Sequence, residues 1–340
     1  MPFRPSARLA VRLLAGLLAL ALTGAVQAAV AQAPIKHGGS GPVVWTNPVI
    51  AGDFPDPSIV RDGATYWATS TSSAAAPGFP LMRSTDLVHW TPAGTIFRRP
   101  PRWASDSFWA PEIFIDPAGV RVYYAARRRN GRLCVAVATA RVVTGPYTDR
   151  GPLVCQPAGS IDPTRARDED GRLFLVWKED GNAVGRPSVI WRQRLTPNGL
   201  RLTGRPVAML RSQDRWEGPV VEAPSVVKHG EWTYLFYSGN SYGLPGCRYA
   251  LGVARARTLR GPFRRYAGNP ILRSGGAWRC PGHATFTTDD DGNAFVMYHA
   301  YPTAGPGERF GLLSRVRWGE DDWPEVTPDA DDPPSPPAAP

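Results

Sequence analysis

Five times along this chain a short strand pattern runs into a turn rich in Gly and Asp and leaves it as an aromatic strand. Ser58-Ile59-Val60-Arg61-Asp62-Gly63 leads to Tyr66-Trp67-Ala68-Thr69. Glu112-Ile113-Phe114-Ile115-Asp116 leads through Gly119 to Val122-Tyr123-Tyr124-Ala125. Thr164-Arg165-Ala166 leads through Asp170-Gly171 to Leu173-Phe174-Leu175-Val176-Trp177. Ser225-Val226-Val227 leads through His229-Gly230 to Thr233-Tyr234-Leu235-Phe236-Tyr237. Ala284-Thr285-Phe286 leads through Asp291-Gly292 to Ala294-Phe295-Val296-Met297-Tyr298-His299. Amphipathic helical periodicity is hard to find anywhere in this stretch.

With Asp56, Glu112, Asp162, Glu222 and His283 taken as equivalent positions, the spacings are 56, 50, 60 and 61 residues. A period of that size with several strands per unit predicts an all-β fold, a single-domain five-bladed β-propeller over residues 45–320. Thr144-Gly145-Pro146-Tyr147 and Arg260-Gly261-Pro262-Phe263 read as one outer turn used twice. A pair of β-sandwich sheets is the alternative, and it gives no reason for five matched hairpins.

The ends read differently. Arg4, Arg8 and Arg12 precede the apolar run Leu13 to Leu22, and small residues follow. That order predicts a signal peptide over residues 1–33 and hence a secreted or periplasmic protein. The run is too short to span about 30 Å of hydrocarbon, so no membrane attachment is expected after cleavage. Residues 324–340, mostly Pro, Asp and Ala, read as a disordered tail.

Four cysteines in an exported chain suggest two disulfides. Three connectivities are open. Cys134–Cys155 with Cys247–Cys280 is favoured because each pair brackets one turn or blade. The net charge of +10 comes from scattered arginines. Arg127-Arg128-Arg129 beside Asn130-Gly131 reads as a solvated hairpin tip, so no nucleic-acid partner is expected. Some attraction to acidic polysaccharide remains open.

In a propeller the innermost strands line a central channel, and equivalent positions face one another at its mouth. Four carboxyls and an imidazole aimed at one axis repel and lose hydration. Glycoside hydrolysis has a use for such a cluster, since it needs one carboxylate as base and one carboxylic acid as proton donor. A turn-opening role for Asp-Pro explains one occurrence. It does not explain Asp56-Pro57-Ser58 and Asp162-Pro163-Thr164 recurring in register.

Asn47-Pro48-Val49-Ile50 with Phe54-Pro55-Asp56-Pro57-Ser58, Ile161-Asp162-Pro163, and Val221-Glu222-Ala223-Pro224 together resemble the motifs of glycoside hydrolase family 43. The likeness is to its five-bladed arabinofuranosidase, xylosidase and arabinanase group. The resemblance implies Asp56 as general base, Glu222 as general acid, and Asp162 as the group that orients the sugar and modulates the pKa of Glu222. It implies inversion at the anomeric centre, with Asp56 and Glu222 about 6.5–9.5 Å apart. His283 resembles the family histidine near a central ion, commonly calcium, bound mainly by water and oxygen. No cofactor is required for the chemistry. Phe54, Trp109 and Glu112 stand as candidate substrate-binding residues.

The chain ends soon after the fifth blade, without the β-sandwich that many xylosidase-like members carry. The expected substrate is therefore a plant-type polysaccharide or oligosaccharide bearing α-L-arabinofuranosyl units, cut by a monomer. Alternatives are β-D-xylosidase action, the retaining fructan-cleaving propellers, and a carbohydrate-binding propeller without catalysis.

Overall fold

The structure, a computed structural model, describes residues 45–73, 78–129, 131–305 and 307–327. The expected signal peptide lies outside them, as do residues 328–340 and part of the loop at Ala74 to Pro80. Among the described residues no helix is long and apolar enough to cross a membrane.

Five four-stranded antiparallel sheets follow one another in the chain. Blade 1 is β1 (Ser58–Asp62), β2 (Thr65–Thr69), β3 (Pro80–Ser84) and β4 (Thr91–Thr95). Blade 2 is β5 (Ala104–Asp116), β6 (Gly119–Arg128), β7 (Leu133–Ala140) and β8 (Thr148–Val154). Blade 3 is β9 (Ser160–Arg167), β10 (Leu173–Glu179), β11 (Val189–Leu195) and β12 (Leu202–Arg211). Blade 4 is β13 (Val221–His229), β14 (Trp232–Gly239), β15 (Ala250–Ala256) and β16 (Arg264–Arg265). Blade 5 is β17 (Trp278–Thr288), β18 (Ala294–Pro302), β19 (Phe310–Trp318) and β20 (Pro324–Thr327). Within each sheet every strand pairs with the next in sequence, which is the propeller meander.

The second strands are buried on both faces, because each blade is covered by its two neighbours. In β6, the seven residues Val120 to Ala126 are all buried, and in β14 the seven from Thr233 to Gly239 are too. The repeat reaches down to turn chemistry. In blade 3 the Asp168 carboxylate accepts the amides of Asp170 and Arg172, and in blade 5 Asp289 accepts those of Asp291 and Asn293. The two outer turns close alike, Gly145 N–H on Val142 O and Gly261 N–H on Thr258 O, both at 3.0 Å.

Single polar contacts stitch each blade to the next. Ser58 Oγ accepts the amide of Ile113, and Arg165 Nη1 lies 2.5 Å from the Asp116 carboxylate. Asp162 Oδ2 accepts the amide of Ala223, Ser238 Oγ that of His283, and Thr285 Oγ1 that of Ile59. The start of the domain is tied to β19 by Trp45 and Asn47, whose side chains both donate to Leu313 O at 2.9 Å. Both favoured disulfides, Cys134–Cys155 and Cys247–Cys280, are formed.

The expected boundary at Pro324 is corrected. Pro324–Thr327 forms the outer strand of blade 5, with Val326 opposite Val316, and Trp323 just before it is buried. A proline at the start of an edge strand leaves no ladder bond unmade, so a Pro-containing segment serves there despite its composition.

Candidate active site

One residue with left-handed backbone recurs at the same place in each blade: Asp56 (φ 53°) just before β1, and Ala110 (φ 43°), Asp162 (φ 51°), Ala223 (φ 50°) and His283 (φ 53°) within the innermost strands, of which β5 and β17 each carry a second, Ser107 and Cys280. These are the true equivalents around the ring. In blades 2 to 5 they coincide with breaks in strand register. Bulges of this kind bend a strand and re-aim its side chains, at a cost of order 1–3 kcal/mol per strained residue. Glu222 sits one residue before its kink and Glu112 two residues after. That offset corrects the equivalence assumed from the sequence, and it sends the two glutamates to different places.

Asp56, Asp162, Glu222, Lys178, His283 and Arg309 line one cavity of about 320 Å³. Asp56 is held from both oxygens. Thr71 Oγ1 donates to Oδ2 at 2.6 Å, while Arg309 Nη1 lies 3.1 Å and His283 Nδ1 3.3 Å from Oδ1. Thr71 is itself fixed, since its hydroxyl accepts the amide of Ala110 at 2.7 Å. Burial works against charge on Asp56, yet Arg309 and His283 outweigh it and hold the carboxyl well below its ordinary range. His283 gains in return: despite burial, Asp56 first and then Asp162 and Glu222 push it up to about 9. It is a cation at neutral pH.

His299 also lies 3.3 Å from Asp56 Oδ1, but it is no ion-pair partner. Its Nδ1 accepts the backbone amide of Asp56 at 3.0 Å, and burial with the nearby Arg309 holds its pKa well below the ordinary value. The ring is neutral and serves to fix the strained Asp56 backbone.

Across the cavity Glu222 Oε2 lies 2.5 Å from Lys178 Nζ, and Asp180 Oδ1 lies 2.9 Å from the same nitrogen. Lys178 is only 1 % exposed. Burial alone would lower its pKa, but Glu222, Asp180 and Asp162 raise it, so the ammonium keeps its proton. The three groups carry one surplus negative charge when both acids are ionised. Asp162 is pushed up to about 7, first by burial and then by the Glu222 charge, with His283 opposing. One firmly anionic carboxylate thus faces Asp162, which holds a proton more readily than an ordinary carboxyl.

Trp109 lines the cavity. Phe54 does not. It is 3 % exposed and packs in the core with Trp45, Ile50 and Phe295, with Gly311 close against its ring. Glu112 is also corrected: it lies further down the central channel, beside Thr164, Ser225 and Thr285. There burial raises its pKa to about 7 against a hydrogen bond to Ser58. Lys178, Arg309, Thr71 and His299 were not singled out from the sequence. Lys178 had a signal, a cation that directly follows the apolar run Leu173 to Trp177; Arg309 had none.

The family model for glycosyl hydrolases family 43 matches residues 45–324. A xylosidase/arabinosidase of Butyrivibrio fibrisolvens is 29% identical over 84% of this chain and 57% of its own. An extracellular exo-α-(1→5)-L-arabinofuranosidase of Cellvibrio japonicus is 26% identical over 81% of this chain and 86% of its own. The chain spans little more than half of the Butyrivibrio relative and of a xylosidase/arabinosidase from Humicola insolens, 57% and 54%. Among solved structures, a thermostable family-43 glycoside hydrolase superposes with a TM-score of 0.78 at 31% identity, covering 86% of this chain and 98% of that one.

Proposed function

The chain belongs to glycosyl hydrolases family 43, and from that premise we propose that it is an inverting hydrolase releasing α-L-arabinofuranosyl units from arabinan- or arabinoxylan-type chains. The carrying observation is the contrast in one cavity between Asp56, anchored as an anion, and Asp162, whose pKa is raised beside the buried Glu222–Lys178 pair.

In this reading Asp56 takes a proton from a water as that water's oxygen bonds to the anomeric carbon. Glu222 gives its proton to the departing glycosidic oxygen, and the bond from that oxygen to the anomeric carbon breaks. The products are a sugar of inverted configuration and a free hydroxyl on the chain. Asp56 then returns its proton to solvent and Glu222 regains one. Arg309, His283 and Thr71 hold Asp56 in one orientation, which favours positioning over intrinsic basicity. Lys178 keeps Asp180 as counter-ion when Glu222 is protonated, so no buried cation is stranded. Asp162 orients the sugar, and its burial beside Glu222 opposes a second negative charge there.

A cavity of about 320 Å³ is at the low end for ligand sites and suits a terminal unit. The relatives named as xylosidase/arabinosidase support a second reading, release of β-D-xylosyl units by the same groups. The test is a panel of nitrophenyl α-L-arabinofuranoside and β-D-xyloside with the product anomer followed by NMR. Faster arabinofuranoside cleavage with inversion supports the reading; retention overturns it.

Among the described residues no three His, Cys, Asp or Glu side chains gather as a metal site. His283 lies against Asp56 at the cavity, and a calcium beside it would be held mainly by water and oxygen. An ion held through water would be placed by Glu112 and His283 and would stiffen the axis, and no step is routed through it. Two formed disulfides support a location outside the reducing cytoplasm.

A further inference from the structure

Beside the catalytic cavity, on the outer part of blade 4, lies a second and larger open groove of about 610 Å³. Asn240 and Tyr249 line both, so they form the shared wall. The groove's other side is Trp216 with three arginines, Arg215, Arg248 and Arg273.

The floor is built rather than incidental. The Trp216 indole lies against Gly239 and Gly252, where an added Cβ would come within 2.7 and 2.5 Å of the ring. Asn240 Nδ2 donates to Trp216 O at 2.9 Å and holds that turn to the shared wall. Trp216 also packs on Tyr237 and is only partly buried, so the remainder of its side chain lines the groove as an apolar contact for a sugar.

The charge around it is unbalanced. Glu217, fully buried, is occupied by Arg265 Nε and the Tyr237 hydroxyl, both at 2.7 Å, and by the amides of Gln213 and Asp214. Asp214 also lies near Arg265, at 3.7 Å. The local acids are therefore spent on Arg265. Among the described residues Arg215, Arg248 and Arg273 have no carboxylate within ion-pair reach, and all three are exposed. Three free guanidinium groups over an aromatic floor match a carboxylate-bearing sugar, since the planar fork of Arg fits a carboxylate with two parallel bonds.

We propose that this groove is a subsite for a uronosyl unit carried by the substrate chain near the bond that is cut. The inference rests on the hydrolase reading above for its role, but its binding can be measured without turnover. The chain's charge of +10 adds long-range attraction to the same acidic chains.

The test is calorimetric binding of trigalacturonate and of its neutral methyl ester to the intact protein. Charge-assisted bonds of this kind should make the acid bind about tenfold more tightly than the ester at low salt, with the gap closing as salt rises. The double variant Arg248→Gln/Arg273→Gln should lose that preference, while its rate on the nitrophenyl pentoside stays unchanged and shows it folded. In the wild type, kcat/KM should be higher for an oligosaccharide bearing a uronosyl branch than for the same oligosaccharide without it. Equal binding of acid and ester, an unchanged preference in the variant, or binding of inorganic sulfate alone overturns the subsite. Failure to cleave any pentoside, with the acid preference intact, overturns the hydrolase reading and leaves the uronate site standing.

Discussion

Glu222 and Lys178, 44 residues apart, form a buried contact of 2.5 Å, and Asp180 shares the same ammonium. Two acids thus divide one cation inside a cavity that also holds Asp162. Asp180 thus gives the buried Lys178 a second carboxylate partner beside Glu222.

Replacing Lys178 tests that arrangement. Lys178→Met leaves two buried acids without their cation, and breaking a buried pair typically costs about 3–5 kcal/mol. Thermal unfolding should show the loss. Removing the positive charge also favours the protonated form of the neighbouring carboxyls, Asp162 among them. The alkaline limb of kcat against pH should therefore move upward, and an unmoved limb would mean that Lys178 is only a structural strut.

Glu222→Gln removes the proposed proton donor and keeps its shape. Turnover of arabino-oligosaccharides should fall by about 10²–10⁴, while substrates with activated nitrophenyl leaving groups lose much less. Steady-state rates on the two classes decide it. A uniform loss on both would argue against the donor role.

Asp162 predicts a trade between stability and activity. Its pKa is raised from 3.8 to about 7, so between those values the folded state holds a proton that the unfolded chain has released. The stability contributed by that proton is complete below about pH 4 and is lost as pH rises through 7. Asp162→Asn keeps an acceptor for the Ala223 amide and removes the buried charge. It should unfold at higher temperature than wild type at pH 8, by on the order of 1–3 kcal/mol, and show little difference at pH 4. Its turnover should fall. Melting curves at the two pH values are the measurement.

The Cys247–Cys280 disulfide ties the segment that carries Tyr242 and Tyr249 to β17. Cys247→Ala/Cys280→Ala should lower stability by about 2–4 kcal/mol and raise KM more than it lowers kcat, because those tyrosines form part of the cavity wall. A loss confined to kcat would place the effect elsewhere.

Much of the fold was legible because its signals are local. Strand alternation, Asp-Gly turns and their repetition depend on residues within a few positions of one another, as the matched Asp168 and Asp289 turns illustrate. Asp56, Asp162 and Glu222 were legible from short motifs, and all three line the one cavity. Phe54 was misplaced because a phenylalanine beside a site motif reads the same whether it walls the cavity or fills the core. Glu112 was misplaced because the left-handed kink falls on Ala110, a residue with no propensity for it.

By itself, then, the sequence determined five repeating hairpins and the acids near their starts, while it favoured a disulfide pairing that the folded chain fixed. Tertiary structure alone decided the electrostatics of the site. Arg309 reaches Asp56 across 253 residues, and Lys178 reaches Glu222 from a neighbouring blade. Those contacts exist only once the ring has closed, and no local periodicity encodes which side chains then face each other across the channel.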